Sequence, residues 1–173
     1  MPGYRIHNAM SLTPAPTNHN NLDILLLEEA EGFSNFIQKS LKTEPLVFIC
    51  HKNHPLTYLE TVTAHDLIKE PLLLREKASP LRNSIDYYFS KFGLNPQPLW
   101  ESMDYSVLIN AVSNRIGISV VPLSIYYATL NDTITKLNVP DFDIKRTLNV
   151  FFHKDKTFSP MLNEFLEFCK IVI

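Results

Sequence analysis

The chain has 173 residues, 45% of them hydrophobic, and its 16 basic and 18 acidic side chains give a formal charge of −2. That is the balance of an ordinary globular protein rather than a disordered one, and it removes the simplest argument for nucleic-acid binding, which needs a cationic surplus. Gly3, Gly32, Gly93 and Gly117 lie too far apart for a GxGxxG turn or a P-loop, so dinucleotide and P-loop nucleotide chemistry is disfavoured.

In chain order, Tyr4 to Ala9 reads as an edge strand, and Thr13 to Asn21, with two prolines and several turn formers, reads as a loop. Residues 22–27 (LDILLL) form an apolar run too brief for a helix, as expected of a strand covered on both faces. Leu46 to Cys50 is a second such run and Leu72 to Leu74 a third. Ser79-Pro80 then marks a helix start, the serine capping a backbone N–H and the proline sitting where its missing donor costs nothing. Leu81, Ile85, Tyr88, Phe89 and Phe92 share one face of that helix, and Gly93 ends it. A further helix is expected from about Asp104 to Ser113, burying Val107, Leu108, Ala111 and Val112. Ile118 to Val121, stopped by Pro122, is the fourth strand, and Thr147 to Phe152 the fifth. Ser159-Pro160 opens the last helix, with Leu162, Phe165, Leu166, Cys169 and Val172 on one face. Alternating strands and helices predict an α/β fold with largely parallel sheets.

No charged segment precedes an apolar run at the N-terminus and no apolar stretch reaches membrane-spanning length, so a cytoplasmic, reduced protein is expected. Cys50, His51 and His54 in CHKNHP invite a metal, but a fourth ligand is missing nearby, and solvated turn residues are the better account. The string also lacks the paired cysteines of covalent haem attachment. Cys169 reads as a core thiol. Ser79 and Ser159 are explained as caps, and neither lies in a GxSxG elbow. Glu28 and Glu29 follow a strand, where a loop carboxylate is commonplace. No enzyme, metal or cofactor is called for. The passage from Leu72 to Arg82 is more informative: a buried strand delivers a polar loop onto a helix N-terminus, where ligands of α/β sheets bind. An ordinary capped helix with solvated charges explains it equally well.

The order LDILLLEEA, EPLVFICHKNHPL, DLIKEPLLLREKASPLR, ESMDYSVLINAVSNRIGISVVP and RTLNVFFHKDKTFSPMLNEFLEF resembles the effector-binding domain of LysR-type transcriptional regulators, from about residue 22 to 169. Each block is short and degenerate; the five in correct order carry the likeness. The resemblance implies two Rossmann-like lobes with a central cleft, similar to type 2 periplasmic binding proteins. Lobe I would be residues 1–50 and 146–173, lobe II residues 51–145, with a small molecule in the cleft. It also implies effector contacts at Ser11 and Thr13, at Lys77, Ala78, Ser79 and Arg82, at Ser102 and Met103, at Pro122 and Leu123, and at His153. Arg82 has the alternative of a structural pair partner. A helix terminus with Lys77 and Arg82 nearby gives a tendency toward a carboxylate or other small anion.

The chain departs from the family pattern in three places. A winged helix-turn-helix and linker helix are expected to be absent, as are the opening strand and helix of lobe I, since Pro2 to Ile6 resembles the start of the second strand. Lobe I would then be incomplete and expose apolar surface. Where the family places a glycine in a left-handed helix cap, this chain has Asn114-Arg115, at a cost of about 1 kcal/mol. The expected function is that of a ligand-sensing module modulating transcription through an attached or partner DNA-binding dimer, with no nucleic-acid or membrane contact of its own. A truncated interaction protein pairing with an intact regulator, and a solute-binding protein of the same fold, are the alternatives.

Overall fold

The computed structural model describes residues 6–8, 24–28, 34–77, 79–129, 132–155 and 157–169. In chain order the elements are β1 (Ile6–Asn8), β2 (Ile24–Leu27), β3 (Phe36–His51), a 3-10 turn (Pro55–Tyr58), α1 (Ala64–Leu67), β4 (Leu72–Leu74), α2 (Pro80–Ser90), β5 (Trp100–Glu101), α3 (Tyr105–Ser113), β6 (Ile118–Pro122), α4 (Leu123–Ala128), β7 (Ile134–Lys136), β8 (Lys145–His153) and α5 (Pro160–Phe168). The chain divides into two compact units, Met1–Thr43 with Thr147–Ile173, and Glu44–Arg146. β3 and β8 are the strands along which the chain passes from one unit to the other.

In the first unit β2 pairs in parallel with β1 (Ile6 opposite Ile24) and antiparallel with β8 (Leu25 opposite Phe151). Ile24, Val150 and Phe152 form a core with Leu162 and Leu166 of α5, and Leu26, Ile37, Leu41, Phe158, Phe165 and Cys169 pack around it. The expected core thiol is therefore a half-buried group at the margin of that core, its ionisation pushed up by burial. Asn149 Nδ2 donates to the Glu28 carbonyl at 2.7 Å, which satisfies a buried amide beside the strand pair.

In the second unit the strand order is β5-β4-β6-β3, with β7 also on β3. β4 pairs in parallel with both β5 and β6, whereas β3 runs antiparallel to β6 (Val47 opposite Val121) and to β7 (Cys50 opposite Thr135). The sheets are thus mixed rather than largely parallel, because strands that carry the chain between units run against their neighbours. β4 and β6 are buried along their whole length, as continuous apolar runs require. Phe48 of β3 meets Phe89 and Tyr88 of α2 at 6.3 Å between ring centroids, and Phe142 at 4.7 Å. Tyr88 also donates its hydroxyl to Asp141 at 3.0 Å, and burial followed by that carboxylate pushes its ionisation up. α2 ends at Ser90, so Phe92 lies beyond the helix and is exposed.

Helix ends follow the capping chemistry of the sequence. Ser79, Asp104 and Ser159 accept from the backbone amides of Arg82, Ser106 and Leu162. α2 and α3 close with the same pair of bonds: Gly93 N–H to Ser90 and Leu94 N–H to Phe89 after α2, Arg115 N–H to Val112 and Ile116 N–H to Ala111 after α3. Both motifs need a left-handed residue, Gly93 at φ +69° and Arg115 at φ +61°. Two residues on, Gly117 passes so close to β4 that a Cβ there would meet the Pro71 carbonyl oxygen at 2.1 Å.

The second unit is fastened where the chain enters and leaves it. Glu44 is buried, accepting from Arg146 at 2.7 Å and from the Ser124 amide at 3.0 Å. That amide belongs to the first turn of α4, whose cap position, Pro122, makes no side-chain bond. Burial alone would push the Glu44 carboxyl up, but the bonds from Ser124 and Arg146 outweigh it and hold it at about 2.

Three outcomes follow from these contacts. Arg115→Gly removes left-handed strain and raises stability by about 1 kcal/mol, whereas Gly117→Ala lowers it by about 2–4 kcal/mol, both read from urea midpoints. Because Glu44 titrates lower when folded than its ordinary 4.5, its contribution is complete above that value and is lost as pH falls toward about 2. Glu44→Gln lowers stability by about 2 kcal/mol at pH 7 and flattens the acid limb of stability against pH between those values.

Candidate functional site

The parallel pairing of β4 with β5 and β6 places the carboxyl ends of all three strands on one edge of the second unit. From β4 the chain moves through α2 to β5 on one side, and from β6 it moves through α4 to β7 on the other. The connections therefore diverge between β4 and β6, the kind of switch point beside which open α/β sheets bind ligands.

Seven residues expected at a ligand site fall on this edge. Ser79, 3% exposed, ends the turn after β4; its Oγ accepts from Arg82 N–H at 3.1 Å, and its own N–H donates to the Glu76 carbonyl at 3.0 Å. Lys77, in the same turn, is exposed. Ser102 follows β5, where its amide donates to the Leu74 carbonyl and its Oγ accepts from Asp104 N–H at 3.1 Å. Met103 is 67% exposed. Pro122, the last residue of β6, is buried, and Leu123, which opens α4, is half-buried. Arg82 belongs to the same group but faces inward, donating from Nε to Asp86 Oδ1 at 2.8 Å and from Nη1 to the Arg75 carbonyl at 3.1 Å and to Glu101. His153 lies in the first unit at the end of β8, where Nδ1 accepts from Asp155 N–H at 3.2 Å and the ring meets Phe36 edge-on at 5.5 Å. Ser11, Thr13 and Ala78 lie outside the described residues.

Sequence reasoning missed several members of this edge. Arg75, 1% exposed, chelates Glu76 through Nε and Nη2 at 2.8 and 2.9 Å, and its guanidinium lies 4.9 Å from the centre of the Tyr105 ring. Glu101 and Asp86 neutralise Arg82. The Arg82–Asp86 pair was readable from its i,i+4 spacing, but contacts to residues 19 or more positions away leave no local pattern. Asp104 caps α3 through the Ser106 amide at 2.7 Å, and that bond holds its carboxyl below the ordinary range.

The CHKNHP string is a solvated turn only in part: Lys52, Asn53 and Pro55 are exposed, whereas Cys50 and His51 end the buried stretch of β3. Cys50 is fully buried, and burial with Glu70 nearby pushes its thiol up to about 12. His51 is also buried, accepting at Nδ1 from Asn53 N–H at 3.1 Å, and its burial followed by the Arg115 charge holds it below the ordinary imidazole range. His54 caps the 3-10 turn, accepting from Leu56 N–H, and lies 3.4 Å from Glu70. Among the described residues no group of three or more His, Cys, Asp or Glu side chains is placed to hold a metal ion. A depression of about 410 Å³ lined by Leu46 to Phe48, the stretch from Lys136 to Val139 and Phe142 includes none of the expected site residues. No described helix is long and apolar enough to cross a membrane.

Residues 8–172 match the family described as the LysR substrate binding domain. Among curated proteins the chain is 28% identical over 151 residues to the transcriptional activator CmpR of Synechocystis, covering 86% of this chain and 50% of that protein. It is 26% identical to the transcriptional dual regulator GltC of Bacillus subtilis, covering 87% and 50%. The chain thus spans about half the length of these relatives. Solved structures of the same fold include the Synechocystis CcmR regulatory domain in complex with 2-PG (TM-score 0.75, 23% identity, 87% of this chain and 73% of that one). They also include the effector binding domain of QuiR in complex with shikimate (TM-score 0.71, 21% identity, 86% and 70%). The fold is therefore that of the LysR effector-binding domains, which is periplasmic-binding-protein-like, and the chain belongs to the LysR substrate binding domain family.

Proposed function

We propose that this chain is the sensory part of a LysR-type transcriptional regulator. A small-molecule effector binds between its two lobes, and the resulting shift in their populations is passed to a DNA-binding dimer, attached or recruited. In this reading the lobes are those expected from the sequence at residues 1–50 with 146–173 and at 51–145, which differ from the compact units in the placing of residues 44–50 and 146. The observation that carries the reading is the carboxyl edge of the second unit. There a topological switch point, two capped helix N-termini and the buried hydroxyl of Ser79 coincide in a chain of this family. With Arg82 committed to Asp86 and Glu101, and the start of α3 already carrying the Asp104 carboxylate, the tendency toward an anion rests on Lys77 and on the opening turn of α2. The complexes with 2-PG and shikimate support a small polar effector of that kind.

Trp100, the single tryptophan, is 45% exposed and two residues before Ser102, so its emission reports on this edge. Titration with a metabolite panel that includes 2-PG and shikimate is expected to give saturable changes in emission or heat for at least one compound. Ser79→Ala is expected to lower stability by about 1 kcal/mol through loss of the cap and to weaken that binding about tenfold. Absence of saturation for the whole panel, or a Ser79→Ala variant altered in stability alone, counts against the proposal.

A further inference from the structure

We propose that Arg82 is a positioning residue of the carboxyl edge, which fixes the turn carrying Ser79 from behind. Its ligand-binding consequence rests on the function proposed above; its structural content does not.

Arg82 holds the turn at two points. Its main-chain N–H donates to Ser79 Oγ, and its guanidinium donates through Nη1 to the carbonyl of Arg75, the first residue after β4. Arg75 and Ser79 are therefore both tied to Arg82, one by its side chain and the other by its backbone. The Ser79 N–H bond to Glu76 and the Asn83 N–H bond to Ser79 fill in the turn between. The same guanidinium reaches one further element, at Glu101 at the end of β5, and Asp86 one turn along its own helix α2. Three acceptors from three directions require the planar fork of arginine, and a lysine ammonium, a single point on a flexible stem, cannot reproduce them. With 5% of its side chain exposed, Arg82 presents these donors to protein and not to solvent. Arg75 supplies the companion brace: its carbonyl accepts from Arg82 while its guanidinium, held by Glu76, lies against the Tyr105 ring that opens α3. The turn after β4 and the start of α3 are thus referred to the same pair of buried cations, so the donors at this edge are fixed before a ligand arrives.

The test uses Arg82→Lys and, as a milder change that keeps an acceptor at a partly exposed position, Glu101→Gln. Amide hydrogen exchange is read over residues 75–83 and, as an internal control, over 134–145, together with binding of 2-PG and shikimate. The proposal expects cooperative unfolding to persist in both variants, with exchange in 75–83 accelerated about tenfold in Arg82→Lys, less in Glu101→Gln, and unchanged in 134–145. Binding of whichever probe the parent chain takes weakens about tenfold in Arg82→Lys. Unchanged exchange with weakened binding would make Arg82 a ligand contact and overturn the proposal. Acceleration spread equally over both segments would make it a general stability residue and overturn it as well. If the parent chain binds neither probe, the proposed function fails on that panel while the exchange comparison still decides the role of Arg82. If Arg82→Lys does not fold, the same exchange pattern in Glu101→Gln decides it, and an unchanged 75–83 segment there rejects the proposal.

Discussion

The arrangement of the second unit depends on one pairing constraint: β4, three leucines long, hydrogen-bonds in parallel on both of its sides. A parallel neighbour cannot be reached by a hairpin, so each connection must cross the sheet and begin again at the opposite end. The helices α2 and α3 fill those crossovers, and their first turns therefore open at the same edge as the ends of β4 and β5. Their N-terminal amides need acceptors, which Ser79 and Asp104 supply locally. What appears in sequence as two unrelated cap signals is one consequence of where the strands end.

Charge at that edge is largely settled within the protein. Arg75 is held by Glu76 and Arg82 by Asp86 and Glu101, so two buried guanidinium groups are compensated by three carboxylates. Burying a cation without such partners would cost several kcal/mol, roughly, which explains why each is enclosed by acceptors. The guanidinium of Arg82 consequently serves geometry. Glu44 plays the reverse part at α4, a carboxylate brought from β3 to a helix start whose own cap residue is proline.

Much of the fold was legible because its signals are local. The five apolar runs all became strands, and the serine-proline starts of α2 and α5 are capped as the pattern predicts. The left-handed cap at Arg115 was readable from a missing glycine. β3 was seen only from Leu46 onward because its earlier residues, apart from the buried Glu44, are half-buried or exposed and lack an apolar run. β5 and β7, of two and three residues, are defined by their partners rather than by composition. His51 is buried by elements distant in sequence, so a turn-like string gave the wrong environment. At the site, residue positions followed from order along the chain. The partners of Arg82 and Glu44 did not, since Glu101 and Arg146 lie 19 and 102 positions away.

The division of the chain has a consequence for synthesis. Glu44–Arg146 is a single uninterrupted segment, whereas the other unit is assembled from both ends of the polypeptide. Ile24 leaves the ribosome well before the partners that bury it, Val150, Phe152, Leu162 and Leu166. The inserted unit can therefore complete its own packing while translation continues, and the other unit keeps an uncovered strand until α5 is released. α5 thus supplies the step that closes this unit, after the inserted one has already been made.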